Sequence, residues 1–427
     1  MADIGDSASR AARPDASNRG TNQSGVRLYN ERLVLSLIRL HGELPKADIA
    51  RLTGLSPQTI SIIINQLTED GLLLKGSPMR GRVGQPSFPY SLNPDGAYFV
   101  GLKIGRRASD AVLLDFAGRV LSRIHEPHPY STPAGTLALI RRGATELTKD
   151  LSAAQRNRIA GFGIASPFEL WNWEPEFGAP QDVLAAWRAT DIFVEAKAIS
   201  PWPVYFHNDG TAACAAELVL GNATKSADFL YIFIGSFIGG GVVLNRHLYP
   251  GRAGYAGAIG PMPMSDPLRP GAYQQVLRTA SIHTLGEMLR AEGRDPAVLA
   301  RNPDDWGNLG APLERWISDA AKALALTIVA AVSIIDFETI VIDGAFPLSV
   351  RRRLVEMTRE ELTAFDQQGV APFDVVEGSI GSGAREIGGA TLPLLANFTQ
   401  DREVLFKDVV SGALPSRSGG GVFRREV

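Results

Sequence analysis

The chain is 427 residues long, too long for one compact unit of ordinary size, and two or three domains are expected. Hydrophobic residues at 45% and charged residues at 21% describe a soluble globular composition, with no apolar run of the roughly 18 residues that a membrane span requires. A net charge of −2 excludes a protein that coats nucleic acid over its whole surface, but leaves room for a local DNA-binding module within that average.

The amino-terminal residues are small, polar and mixed in charge, without the apolar segment of a secretion signal, which predicts a cytoplasmic location. Residues 1–27 lack hydrophobic periodicity and are expected to form a disordered tail. From Asn30 the pattern turns helical, with Leu33, Leu37 and Leu40 on one face and His41-Gly42 at the end. A short second helix spans Lys46 to Thr53 with Ile49 and Leu52 inward, and Gly54 follows where a left-handed turn residue is needed. Ser56-Pro57 starts a third helix, since Ser is a good N-cap and Pro is tolerated in a first turn. Ile60, Ile63, Ile64 and Leu67 face its core side, which leaves Gln58, Thr59, Ser61 and Asn65 outside.

The run Leu72 to Leu74, a basic loop with Arg80, Gly81, Arg82 and Gly84, and Phe88 to Leu92 read as two strands around a wing. Together, residues 28–93 predict a winged helix-turn-helix. Gln58, Thr59, Ser61 and Asn65 suit base edges in a major groove, and Arg80 and Arg82 suit phosphates or a minor groove. Taken singly, each of these positions can equally be a solvated surface residue. The ordered series of helix, helix, glycine turn, Ser-Pro helix and basic wing is what points to double-stranded DNA.

Pro94-Asp95-Gly96 marks the next boundary, and an α/β texture follows. Strands are expected at 98–104, 111–115, 159–164, 204–207, 229–234, 242–244 and 340–343, and helices near 137–151 and 181–198. This alternation predicts two α/β lobes. Asp209 either binds ligand hydroxyls or caps the helix after it. Glu169, Trp171 and Trp173 have the aromatic and polar mixture of a carbohydrate pocket, or anchor a loop to the core. Gly235 and Gly239 to Gly241 either cradle phosphate or form a close-packed turn that needs no ligand.

Four segments carry a resemblance. They are ADIARLTGLSPQTISIIINQLTEDGLL followed by GRVGQP; His207-Asn208-Asp209-Gly210; IGSFIGGGVVLNRHLYPGRAGYAGAIG; and GSIGSGAREIGGATLPL at 378–394. In this order they resemble the ROK family of repressors, open reading frames and kinases over almost all of residues 30–400. The resemblance implies an α/β fold: a winged helix-turn-helix, then an actin-like, ribonuclease H-like two-lobed sugar-kinase fold. Residues 96–217 with 381–400 would form the first lobe, 218–380 the second, and 401–427 a tail. It also implies a sugar held by Asn208 and Asp209, with Glu169, Trp171 and Trp173 nearby.

The chain departs from the family's kinases at several positions. Lys103 stands where their first hairpin has an aspartate that handles Mg²⁺ and phosphate, and Phe237 replaces the middle glycine of their second hairpin. Ala258 replaces a sugar-contacting glutamate, Pro261 stands at the place of a zinc-site histidine, and the Cys-X-Cys-Gly motif has no counterpart beside the single Cys214. The expectation is therefore a homodimeric or homotetrameric repressor of carbohydrate genes that binds operator DNA under control of a small carbohydrate. No catalytic residue, cofactor or metal is assigned. The alternative is an ATP-dependent sugar kinase that also binds DNA.

Overall fold

A computed structural model describes residues 23–78, 87–172, 178–221, 226–266, 269 and 271–400. Among them the chain divides into two units, with boundaries at Ser91/Leu92 and Asn397/Phe398.

The first unit opens with α1 (Gln23–His41), which starts seven residues before the Asn30 that periodicity marks, so residues 23–27 are helical and not part of a tail. An i,i+4 ion pair between Arg27 and Glu31, 2.8 Å apart, supports this added stretch. β1 (Leu44–Pro45), α2 (Lys46–Thr53), α3 (Pro57–Glu69), β2 (Leu73–Lys75) and β3 (Pro89–Leu92) complete the unit, and its sheet has the order β1-β3-β2. Ile49 is fully buried, but Leu52, expected inward, is 40% exposed. The core is closed instead by Val34, Leu35 and Ile38 of α1 packed with Ile60, Ile63, Ile64 and Leu67 of α3. Residues 1–22, the wing residues 79–86 and the tail 401–427 lie outside the described residues.

The second unit contains two five-stranded sheets of the same topology. β4 (Tyr98–Lys103), β5 (Ala108–Asp115), β6 (Val120–Pro127), β7 (Ile159–Ser166) and β8 (Val204–Asn208) are ordered β6-β5-β4-β7-β8. β9 (Phe229–Ile234), β10 (Ile238–Leu244), β11 (His247–Tyr249), β14 (Thr339–Gly344) and β15 (Asp374–Glu377) are ordered β11-β10-β9-β14-β15, with a small hairpin, β12 (Pro263–Ser265) and β13 (Tyr273–Gln275), between them in sequence. In each sheet three antiparallel strands are followed by two parallel ones. The helices of eight or more residues are α4 (Pro133–Glu146), α5 (Gln181–Ala189), α6 (Ile192–Ile199), α7 (Asp209–Leu220), α8 (Ile282–Ala291), α9 (Ala311–Val332), α10 (Leu348–Leu362) and α11 (Ala384–Phe398). The single helix expected over 181–198 is two, because the Asp191 carboxylate caps the amides of Phe193 and Val194 and starts α6 anew.

Two glycines of α11 bring it onto both neighbours. A Cβ on Gly388 would lie 1.9 Å from the Ala212 carbonyl oxygen of α7, and one on Gly163 of β7 would lie 1.8 Å from that of Gly389. A Cβ on Gly101 of β4 would lie 2.3 Å from the Ala390 amide nitrogen. Backbone therefore meets backbone, with no side chain to yield.

Gly163→Ala is expected to destabilise the protein by at least roughly 1–3 kcal/mol, because α11 must move for the methyl to fit. The same change at Gly143, inside α4, meets only Leu147 Cδ1 at 3.8 Å and should be neutral or stabilising by up to about 1 kcal/mol. Chemical unfolding of both variants checks this; equal losses would show that packing against α11 is not the cause.

Candidate functional site

In the first unit, the turn between α2 and α3 is built as its sequence dictates. Gly54 takes φ 69° and donates to the Ala50 carbonyl at 2.9 Å, and the Ser56 hydroxyl accepts the Thr59 amide at 3.1 Å ahead of Pro57. Gln58 and Asn65 are exposed on α3, whereas Thr59 and Ser61 are half-buried. The Thr59 hydroxyl is also engaged with Ser56 Oγ at 2.8 Å, so it belongs to the helix cap first. Lys46 Nζ donates to Asn65 Oδ1 at 3.0 Å, which orients that carboxamide from the start of α2. Ile62, not singled out in the sequence, is 61% exposed on the face between Gln58 and Asn65. The signal was available: Ile62 falls off the apolar stripe set by Ile60, Ile63, Ile64 and Leu67. An exposed β-branched residue on such a face suits the methyl group of thymine. Arg80 and Arg82 lie outside the described residues.

In the second unit, a cavity of about 150 Å³ lies where β8 runs into α7. Asn208 ends β8 and is itself the helix cap, accepting the Gly210 amide at 3.0 Å. Asp209, the first residue of α7, shares that Gly210 amide through Oδ1 at 3.1 Å and pairs through Oδ2 with Arg385 Nη1 of α11 at 3.4 Å. Both line the cavity, together with Arg106, Phe168, Phe233, Phe237 and Tyr255. Phe168 meets Tyr255 edge-on, with ring centroids 5.0 Å apart. Trp171 instead packs against the core of the first sheet, as a loop anchor does, and Glu169, at φ 53°, accepts from Asn172 at 2.7 Å. Neither lines the cavity, and Trp173 lies outside the described residues. Phe168, Tyr255, Arg106 and Arg385 were missed, because an apolar ring or a lone arginine has no local pattern that marks it as a cavity wall.

The positions where the resemblance would put phosphate chemistry are occupied by internal contacts. Lys103 Nζ bonds Asp110 Oδ2 at 2.6 Å in a buried pair, and His125 Nδ1 lies 2.6 Å from the other Asp110 oxygen. Burial pushes the Asp110 carboxyl up, but the charge and hydrogen bond of Lys103, with help from His125, outweigh it and hold it below the usual carboxylate range. Arg106, on the turn after β4, lays its guanidinium 3.4 Å from the ring centroid of Phe237, on the turn between β9 and β10. The two turns are thereby held together. Gly240 and Gly241 are interior residues of β10, and their missing side chains make room for the Tyr231 carbonyl and for Cys214 of α7, respectively. Close packing accounts for Gly240 and Gly241, whereas Gly239 lines the cavity and a Cβ there would meet only Gly210 Cα at 3.8 Å. Ala258 and Pro261 both line the cavity and bring no charged group to it.

Residues 99–275 match the model of the ROK family, and residues 27–73 match that of the winged helix-turn-helix DNA-binding domain. The uncharacterized protein y4fQ of Sinorhizobium fredii (strain NBRC 101917 / NGR234) is 25% identical over 378 residues, 86% of this chain and 91% of its own. The xylose repressor of Bacillus subtilis (strain 168) is 24% identical over 245 residues, 56% of this chain and 62% of the repressor, so the match spans about three-fifths of that relative's length. A solved ROK family transcriptional regulator, a homolog of the E. coli MLC protein, has a TM-score of 0.61 at 19% identity and covers 90% of this chain and 97% of its own, a likeness of fold.

Lys103→Met strands the Asp110 carboxylate with only His125 beside it, and should cost roughly 3–5 kcal/mol at pH 7. Adding Asp110→Leu should recover most of that loss. A double-mutant cycle in denaturant reads the coupling, and simple additivity would show that the pair is not the reason Lys103 is tolerated.

Proposed function

The chain joins a winged helix-turn-helix to a ROK-family domain, and from that premise we propose that it is a DNA-binding transcription regulator, a repressor of carbohydrate uptake or metabolism genes. The observation that carries this reading is the solvent face of α3, where Gln58, Ile62 and Asn65 stand together on a helix fixed by the Gly54 turn and the Ser56 cap. That face reads base edges in the major groove, and Arg80 and Arg82 reach phosphates or the minor groove. The protein works in the cytoplasm as a homodimer or homotetramer, whose symmetry matches two operator half-sites.

The effector is a small carbohydrate held in the cavity, with Asn208 and Asp209 toward its hydroxyls and Phe168 and Tyr255 along its C–H faces. The domain is not an enzyme. Lys103 and Asp110 neutralise each other where a kinase needs a carboxylate for metal and phosphate, and the Arg106–Phe237 stack joins the two turns between which phosphates would pass.

Gel-shift titration on an operator selected from random sequence tests the DNA reading. Ala at Gln58, Ile62 or Asn65 should relax base preference by roughly 1–3 kcal/mol per good contact, whereas Ala at Arg80 or Arg82 should weaken all sequences and flatten the salt dependence. Uniform losses from every variant would refute the assignment.

A sugar found by thermal shift should alter operator affinity, and Asp209→Ala should abolish that response. The same sugar with ATP and Mg²⁺ should release no ADP in a coupled assay. Turnover near the roughly 1–100 s⁻¹ of kinases, lost in Asp209→Asn, would make the protein an enzyme.

A further inference from the structure

Gln58, Ile62 and Asn65 follow one another at i, i+4 and i+7 along the outer side of α3. Asn65 is held from outside its own helix: Lys46 Nζ, on the first residue of α2, donates to its Oδ1 at 3.0 Å. An ammonium has donors and no acceptor, so only the oxygen of the carboxamide can meet it, and the Nδ2 end points away from the lysine. Lys46 is placed in turn by the sheet. It follows β1 directly, which pairs Leu44 with Tyr90 of β3, and its Nζ stands 5.6 Å from the Tyr90 ring centroid. Burial, and then the charge of Lys75, lower the Lys46 ammonium from the ordinary lysine range. Lys75 lies over the Phe88 ring, 3.8 Å from its centroid. A hydrogen bond between side chains this exposed adds only modestly to stability; its consequence is the choice of which end of the carboxamide faces outward.

An Asn carboxamide free to turn pairs with adenine, donating from Nδ2 to N7 and accepting the N6 amino group on Oδ1. With Lys46 already on Oδ1, an adenine amino group brings a second donor, and its positive hydrogens, against an ammonium. Guanine presents two acceptors, N7 and O6, on the same edge, and both suit the Nδ2 donors and the neighbouring cation.

We propose that Lys46 and Asn65 act as one donor unit that selects a guanine in the operator, Asn65 touching the base edge and Lys46 serving as the positioning residue that fixes its carboxamide. The proposal rests on the reading of the α3 face as a major-groove reader. Residue type alone assigns Asn65 to adenine; the contact that reverses the assignment joins residues 19 positions apart.

Competition titration of the full chain tests this at one fixed salt concentration, on a duplex selected from random sequence and then substituted with all four base pairs at each position. The base pair whose preference disappears in Asn65→Ala is the one Asn65 reads. There the natural protein should prefer guanine over adenine by roughly tenfold, the effect of one good base contact. Lys46→Met keeps the length of the side chain and removes its donors, so the released carboxamide should lose that preference and turn toward adenine. Adding Asn65→Ala to Lys46→Met should abolish the adenine preference, which ties the switch to the carboxamide. Lys46→Gln, able to meet either end of Asn65, gives the same reading should Lys46→Met fold poorly. Preference for adenine in the natural protein would overturn the proposal. So would a Lys46→Met protein that keeps its guanine and binds all sequences more weakly with a flatter salt dependence, since Lys46 would then be a phosphate contact. If preferences depend on Gln58 or Ile62 and none on Asn65, this proposal falls and the DNA reading stands; if no duplex is preferred over random sequence, the DNA reading falls, and this proposal with it.

Discussion

The arrangement of the second unit depends on α11 approaching its neighbours more closely than any side chain permits. Gly388 and Gly389 set it against α7 and β7, and Gly101 lets it press on β4. The segment that leads into it is fixed by buried charge. Asp343, at the end of β14, accepts from Tyr231 and from the Gly381 amide, each at 2.9 Å, and pairs with Arg351 at 3.1 Å. Glu217 of α7 receives the Ser379 amide at 2.9 Å and its hydroxyl at 3.0 Å. These carboxylates are fully buried, and only their dense sets of donors make that tolerable. One helix thus receives its approach from the second sheet and delivers its packing face to the first.

The same helix distributes three consecutive kinds of chemistry along one turn and a half. Arg385 enters the cavity, Glu386 pairs with Arg123 of β6 at 3.0 Å, and the glycine pair follows. Burial raises the Glu386 carboxyl, and Lys103 and Arg123 oppose that rise. Lys103 therefore serves two carboxylates, Asp110 by direct contact and Glu386 through its charge. A carboxylate at position 103 would face both of them, a like-charge cluster in a site with little water. The interior charge is balanced around the Lys103 cation, which ties the hairpin of β4 and β5 into the core.

Much of the headpiece was legible because its signals are local. A left-handed glycine, a Ser-Pro cap and an apolar stripe each act within four residues, and the structure realises them at Gly54, Ser56 and Ile60 to Leu67. Leu52 and Ile62 were assigned or passed over by residue type, but a two-turn helix has too few positions to fix its inward face, and on α3 the stripe itself decides. The second unit resisted because its determinants are distant in sequence. The repeated strand order of the two sheets leaves no sequence period to detect. Gly239 to Gly241 look alike to a motif, yet what distinguishes their role is Cys214 and Tyr231. Asp209 was legible as a cleft residue, but its partner Arg385 lies 176 positions away. Trp171 shows the reverse case, an aromatic beside polar groups whose ring the core claims.

The cavity draws its walls from both sheets, and this gives it leverage that a pocket within one sheet would lack. Arg106 follows β4, Asn208 ends β8, Phe233 and Gly239 belong to β9 and β10, and Arg385 comes from α11. A bound molecule that touches all of them loses contacts whenever the spacing of the two sheets changes, so its affinity differs between arrangements. That difference is the only means by which a ligand shifts a conformational equilibrium. The Arg106–Phe237 stack already joins the two sides without any ligand, at a worth of about 0.5–2 kcal/mol for such a contact. Inverting a 1:99 population requires about 5.5 kcal/mol. The resident stack supplies too little for that, whereas two or three charge-assisted hydrogen bonds to a ligand, worth about 1.5–3 kcal/mol each, would reach it.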